Sequence, residues 1–182
     1  MEQKIIYTER LLLRPFTLDD APRVRQLAGE WEIADTTTNI PNPYEKGMGE
    51  EWILTHQPDF KQNKAVTFAV VLRMNDQLVG AISLLLKNPH DAAEMGYWIG
   101  KPYWRRGYCS EAAMAMLEYG FGTIGLNRIY AEYFKRNPAS GKVMEKIGMS
   151  YEGRLRQNIK KWDAYEDMMI FGILKAEYKK NR

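Results

Sequence analysis

The apolar positions of this chain change their spacing several times, and each change marks an element. Leu11, Leu12 and Leu13 stand between arginines in a segment from Tyr7 to Phe16 that predicts a first strand ended by Pro15. Asp19 and Asp20 then offer a helix N-cap, and Ala21, Val24, Leu27, Ala28 and Trp31 recur on one helical face. Pro22 fits there only in the first turn, where its missing N–H is not needed. After a turn-rich loop from Thr36 to Pro43, a second helix is expected from about Tyr44 to Gln57; it carries Met48, Trp52 and Ile53 but is weakened by Gly47 and Gly49.

From Ala65 the period becomes two. Val66, Phe68, Val70 and Leu72 alternate, Asn75-Asp76 turns the chain, and Leu78 to Leu86 returns as a hairpin partner. Asn88 to Asp91 turns again into a strand from Met95 to Ile99. Helical spacing resumes after Gly107 with Ala113, Leu117, Phe121 and Ile124. A strand from Asn127 to Phe134 follows, then a helix capped by Asn137 with Pro138 at its first position, Ala139, Val143 and Ile147 on one face and Gly148 as its stop. Strands near Tyr151 to Gln157 and Met168 to Leu174 complete the order. The expectation is one mixed α+β domain over residues 1–182, built around one central sheet, with no internal repeat or linker.

Composition narrows the function. At 182 residues with 45% hydrophobic positions, the chain can bury a sizeable core. A net charge of +3 suits an anionic ligand but is too small to argue for nucleic acid. One cysteine, Cys109, and two distant histidines, His56 and His90, leave no metal-ligand spacing, so no metal is expected. No signal segment or bilayer-length apolar run stands out; the longest, Leu78 to Leu86, is broken by Gly80 and Ser83. A cytoplasmic protein without membrane partners is the expectation.

Glu94 to Glu111 is the stretch around which the chemistry gathers: a strand, a tight basic turn at Gly107 and the start of an Ala-rich helix. Free backbone N–H groups and the helix dipole converge there on a place suited to a phosphate. The turn lacks the Gly-Lys-Ser/Thr of a Walker A loop and the three glycines of a dinucleotide fold.

Trp104-Arg105-Arg106-Gly107-Tyr108-Cys109 instead resembles motif A of the GNAT superfamily of acetyl-CoA-dependent N-acetyltransferases, Gln/Arg-x-x-Gly-x-Gly/Ala, matching at the central Gly107 while Trp104 and Cys109 replace the outer residues. Thr8 to Pro15, Ala93 to Trp98, Gly107-Tyr108 with Glu111-Ala112, Asn137 to Ser140 and Gly148-Met149 fall in the order of the branch containing the ribosomal-protein N-terminal acetyltransferases. This resemblance implies a mostly antiparallel mixed sheet, flanked by helices and splayed between its fourth and fifth strands, with acetyl-CoA in the gap. It implies that the backbone of Tyr97, Trp98 and Ile99 pairs with the pantetheine arm, that an N–H near Trp98 polarises the thioester, and that Arg105, Arg106, Gly107, Tyr108, Cys109 and Ser110 hold the pyrophosphate. Lys142 and Lys146 are further phosphate candidates; for them, as for Arg105 and Arg106, a solvated surface charge is the alternative.

Direct attack by an amine needs a base, an oxyanion holder and a proton for the leaving thiolate. The resemblance makes Glu94 the first candidate base and Glu132 the second, with a cross-strand or substrate hydrogen bond as the alternative. Ser140 is the candidate acid, because the tyrosine that many members carry further along its helix is Met144 here. Asn137 either caps that helix or also bonds the pantetheine. A thiol beside arginines at a helix start could be a nucleophile, but Cys109 stands where the family needs a small packing residue. An α-amine with pKa near 7.7–8.0 is partly neutral at physiological pH, whereas a lysine near 10.4 must give up about 3–4 kcal/mol to become so. The expected reaction is therefore acetylation of a protein N-terminus, such as that of a ribosomal protein. The alternatives are a polyamine or aminoglycoside acceptor, or a CoA-binding module without turnover, and a homodimer is left open.

Overall fold

A computed structural model describes residues 3–180. Short strands β1 (Ile6–Tyr7) and β2 (Leu11–Arg14) form a hairpin and replace the single first strand expected. The Thr8 hydroxyl and the Leu11 N–H and C=O close the turn between them, and β2 ends before Pro15. The capping box is Thr17 with Asp20, and Asp20 also takes both guanidinium nitrogens of Arg14 at 2.7 Å. Helix α1 (Ala21–Ala28) buries Ala21, Val24, Leu27 and Ala28, as the spacing predicts.

Trp31 departs from that face. After Gly29 the chain restarts as a separate helix, α2 (Trp31–Thr36), with Trp31 exposed. Helix α3 begins at Met48 rather than Tyr44, because Gly47 is left-handed (φ 95°), and it continues to Lys61 through Pro58.

Strands β3 (Ala65–Leu72), β4 (Gln77–Lys87) and β5 (Ala92–Ile99) form an antiparallel meander whose β3 is buried along its whole length. Helix α4 (Tyr108–Glu118) runs into a π-helical turn ended by left-handed Gly125. Strand β6 (Arg128–Phe134), helix α5 (Pro138–Lys146), strands β7 (Ser150–Lys161) and β8 (Ala164–Leu174), and helix α6 (Lys175–Lys180) follow.

The eight strands lie in the order β1-β2-β3-β4-β5-β6-β8-β7. Helices α1 and α3 pack on one face, α4 and α5 on the other. All neighbours are antiparallel except β5 and β6, which run parallel and pair only at Ala92↔Arg128, Ala93↔Ile129 and Glu94↔Tyr130. Beyond Glu94, β5 stays with β4 to Ile99 while β6 follows β8 to Phe134. The sheet therefore splits between its fifth and sixth strands, which are the fourth and fifth when the β1–β2 hairpin is counted as one.

Candidate functional site

Two strands that start together and part leave an edge. Gly100 N–H donates to Val79 O at 2.8 Å, and peptide groups alternate in direction along an antiparallel ladder. The Trp98 N–H therefore turns to β4, while the peptide groups of Tyr97 and Ile99 turn to the open side. The N–H expected near Trp98 thus belongs to Tyr97 or Ile99. Ile99 O accepts the indole N–H of Trp104 at 2.5 Å, which draws the following turn against the end of the strand. Opposite, β4 has no room to move: a Cβ on Gly80 would stand 2.2 Å from Trp98 O.

The turn at the other end of the stretch is held by the N-terminal hairpin. Arg10 donates to Arg106 O (2.9 Å) and to Glu111 (2.7 Å), and the Thr8 hydroxyl donates to Glu111 at 2.6 Å. Arg105 (φ 60°) and Gly107 (φ 80°) are both left-handed, a conformation that glycine adopts without strain. Gly107 is the N-cap of α4, and no side chain caps that end, so the first-turn N–H groups of Tyr108, Cys109 and Ser110 point outward with the helix dipole behind them. Arg105 and Arg106 are exposed in the turn itself, and Lys142 and Lys146 are exposed on α5. An extended acyl carrier with an anionic end fits this pair of features, since the strand edge offers amide partners and the turn offers donors and positive charge.

The Tyr97 phenol meets the Ser140 hydroxyl at 2.8 Å and donates to Ser140 O at 3.2 Å. Tyr97 therefore faces α5, and strand alternation turns Glu94 and Trp98 to the layer of α1. Burial holds the Tyr97 phenol well above its ordinary range, so it stays protonated. This bond joins positions 43 apart and binds Ser140 to a side chain instead of to a first-turn backbone donor.

Glu94 and Glu132 stand on the opposite face. Glu94 lies 3.6 Å from Lys87 Nζ and accepts the Tyr130 hydroxyl at 3.4 Å. It occupies the last paired position of β5, whereas Glu132 lies on the part of β6 that has left β5. Burial first, then the Glu94 charge, push the Glu132 carboxyl above its usual range, and Lys87 opposes the shift. The Tyr130 phenol is pushed up to about 12 by burial and by the same carboxylates.

Other expected residues divide. Burial pushes the Cys109 thiol up to about 12, which leaves it protonated at neutral pH. Met144 is 1% exposed, packed in the core and unable to replace the missing tyrosine. Asn137 occupies the N-cap of α5 but makes no side-chain capping bond, because φ −111° and ψ 68° place it outside the usual cap geometry. The Tyr97 side chain and Lys87 are the residues that sequence reasoning passed over. The alternation of β5 could have pointed to Tyr97, but the pairing of Lys87 with Glu94 needs the β4 register. Among the described residues no group of three metal-ligating side chains comes together, and no helix is long and apolar enough to cross a membrane.

Residues 10–150 match the model of the acetyltransferase (GNAT) domain. An N-acetyltransferase of Bacillus subtilis (strain 168) described as uncharacterized, YnaD, is 33% identical over 174 residues, covering 95% of this chain and 98% of its own. The ribosomal-protein-serine acetyltransferase of Escherichia coli (strain K12) is 31% identical over 97 residues, 53% of this chain and 54% of that one. A GNAT-family acetyltransferase from Bacillus anthracis superposes with a TM-score of 0.85 at 28% identity, covering 95% of this chain and 99% of that one. The open strand edge, the uncapped turn and these likenesses lead to one conclusion: the chain belongs to the GNAT family and is an acetyl-CoA-dependent N-acetyltransferase that transfers acetyl to an amine.

Proposed function

We propose that the acceptor is the α-amine of a protein N-terminus, with a ribosomal protein as the leading case, and that Glu132 is the base. The observation that carries this reading is the split itself, which puts a partly buried carboxylate with a raised pKa beside the open edge of β5. A general base works best when its pKa approaches the working pH. Burial and the Glu94 charge move Glu132 in that direction, while Glu94 is tied to Lys87, so this reading puts Glu132 ahead of Glu94, the first candidate from sequence. A carboxylate raised in this direction is better matched to an α-amine, already partly neutral at physiological pH, than to a lysine. The likeness to a ribosomal-protein-serine acetyltransferase over half the chain supports the same acceptor class.

In this mechanism the Tyr97 and Ile99 edge aligns the thioester of acetyl-CoA, and the outward N–H polarises its carbonyl. The donors at Arg105 to Ser110, with Arg106, Lys142 and Lys146, hold the pyrophosphate, and Asn137, released from capping, bonds the pantetheine. Glu132 takes the proton from the incoming amine. The Ser140 hydroxyl, held by Tyr97, donates a hydrogen bond to the departing sulfur.

The test is a pair of pH–rate profiles. Glu132→Gln should lower kcat by roughly 10²-fold or more. Glu94→Gln should keep turnover and move the acid limb to lower pH, because removing the like charge lowers the Glu132 pKa. Loss of turnover in Glu94→Gln with a functional Glu132→Gln would reverse the assignment.

A further inference from the structure

A carboxylate stands in the first turn of the helix whose uncapped end is suited to an anion. Glu111 follows Tyr108, Cys109 and Ser110 in α4, and a negative charge there would compete with a diphosphate for the same dipole and repel it. The fold turns that charge away from the helix end. The Thr8 hydroxyl (2.6 Å) and the Arg10 backbone N–H (2.8 Å) both donate to Glu111 Oε1, and Arg10 Nε donates to Oε2 at 2.7 Å. Burial alone would raise this carboxyl, but the bonds from Thr8 and Arg10 outweigh it and hold the group below its usual range, so it stays charged.

The same arginine reaches the turn itself. Arg10 Nη1 donates to Arg106 O at 2.9 Å, its guanidinium lies 4.9 Å from the centre of the Tyr108 ring, and a Cβ on Gly107 would stand 3.2 Å from Nη2. The Arg106 carbonyl and the Gly107 N–H belong to one planar trans peptide and point opposite ways. Holding the oxygen on the hairpin side therefore fixes the Gly107 N–H away from the hairpin. The hairpin is anchored in turn by Arg73, just past the end of β3, whose guanidinium donates to Thr8 O at 2.6 Å and whose N–H donates to Arg10 O at 3.0 Å. An isolated surface ion pair contributes little. Here one carboxylate, 17% exposed, gathers its donors from a hairpin 101 positions away.

We propose that Glu111, with Thr8 and Arg10, is a positioning group for acetyl-CoA: it locks the phosphate turn to the N-terminal hairpin, so that the N–H groups of the turn are aimed before the pyrophosphate arrives. This rests on the turn taking the pyrophosphate, as read above. The lock acts by sparing the ligand the ordering of the turn, not by touching it. Its two physical effects have opposite signs. Removing the Glu111 charge leaves Arg10 unbalanced, and Coulomb attraction alone would then tighten the binding of an anion; loss of the lock weakens it.

The experiment measures the dissociation constant of acetyl-CoA by calorimetry, and kcat and the amine KM at saturating acetyl-CoA, for the intact protein, Glu111→Gln, Thr8→Val and Thr8→Ser. Glu111→Gln should weaken acetyl-CoA by roughly 10-fold or more, the order of a lost hydrogen bond to a charged group, with kcat within about twofold and the amine KM unchanged. Thr8→Val keeps every charge and should weaken binding in the same direction by a smaller factor, while Thr8→Ser, which keeps the hydroxyl, should bind as the intact protein does. Because Thr8 and Glu111 lie on separate elements, misfolding of one variant leaves the other to answer. Binding by Glu111→Gln or Thr8→Val as tight as that of the intact protein, or tighter, overturns the lock alone, and so does a loss of kcat and amine affinity as large as the loss of acetyl-CoA affinity. An intact protein that binds no acetyl-CoA overturns the reading of the turn and the lock with it.

Discussion

Cys109 and His56 show how burial inverts a residue's apparent chemistry. A lone cysteine beside two arginines invites a nucleophilic role, yet its thiol is pushed up to about 12 by burial, leaving roughly one part in ten thousand as thiolate at pH 8. Cys109→Ala should therefore keep kcat within about twofold, and loss of turnover together with an acetylated thiol in the intact protein would contradict this. His56 sits against Phe16 and Trp52 with neither ring nitrogen partnered, and burial lowers its pKa from 6.5 to about 4. The unfolded chain then binds the extra proton between those values, so stability is held above pH 6.5 and falls as pH drops to about 4. The loss is about 3 kcal/mol from this one ring. Urea unfolding at pH 7 and pH 5 should show it, and His56→Leu should flatten the difference; an equal slope in both proteins would rule His56 out as the cause.

Elements were legible in the sequence where their period ran long enough to repeat. The alternation of β3, the glycine start of α4 and the face of α1 could all be read from spacing, and so could the strand and turn that carry the cofactor edge. Helix α2 could not, because its six residues bury only Ile33 and Ala34 and leave no repeat to see. Its start at Trp31 looked like the continuation of α1 until Gly29 separated the two. Asn137-Pro138 had the letters of a capped helix, but at φ −111° and ψ 68° the side chain makes no capping bond, and letters do not encode those angles. The contacts that assemble the site join positions far apart, as in Tyr97 with Ser140, so spacing could nominate both residues and not their bond. The split depends on β4 and β5 staying close at Gly80, where any side chain would collide with Trp98 O. Gly80→Ala should cost about 1–3 kcal/mol and raise the KM for acetyl-CoA by displacing the edge it lines. Thermal unfolding and steady-state kinetics measure both, and a neutral substitution would show that the edge tolerates movement.

At the scale of the molecule, a parallel pair within an otherwise antiparallel sheet does the organising. Parallel strands need a crossover, here α4 with its π-helical turn, and the crossover delivers the Gly107 turn to the same end of the sheet as the open edge of β5. The open strand edge and the uncapped turn proposed to take acetyl-CoA thus come from one continuous stretch, Glu94 to Glu111, while the two glutamates come from both sides of the split. A net charge of +3, with Arg105 and Arg106 exposed in the turn, predicts that acetyl-CoA binds less tightly as salt rises. Arg105→Ala with Arg106→Ala should raise its KM and flatten that dependence, and a slope equal to that of the intact protein would remove these arginines from the phosphate site. The account stands most directly on where the acetyl group goes. Incubation with acetyl-CoA and a peptide carrying both a free α-amine and an internal lysine, read by fragment mass spectrometry, should place the acetyl group on the α-amine with stoichiometric thiol release. Acetylation confined to the lysine would contradict the proposed acceptor, and no binding of acetyl-CoA at all would contradict the site itself.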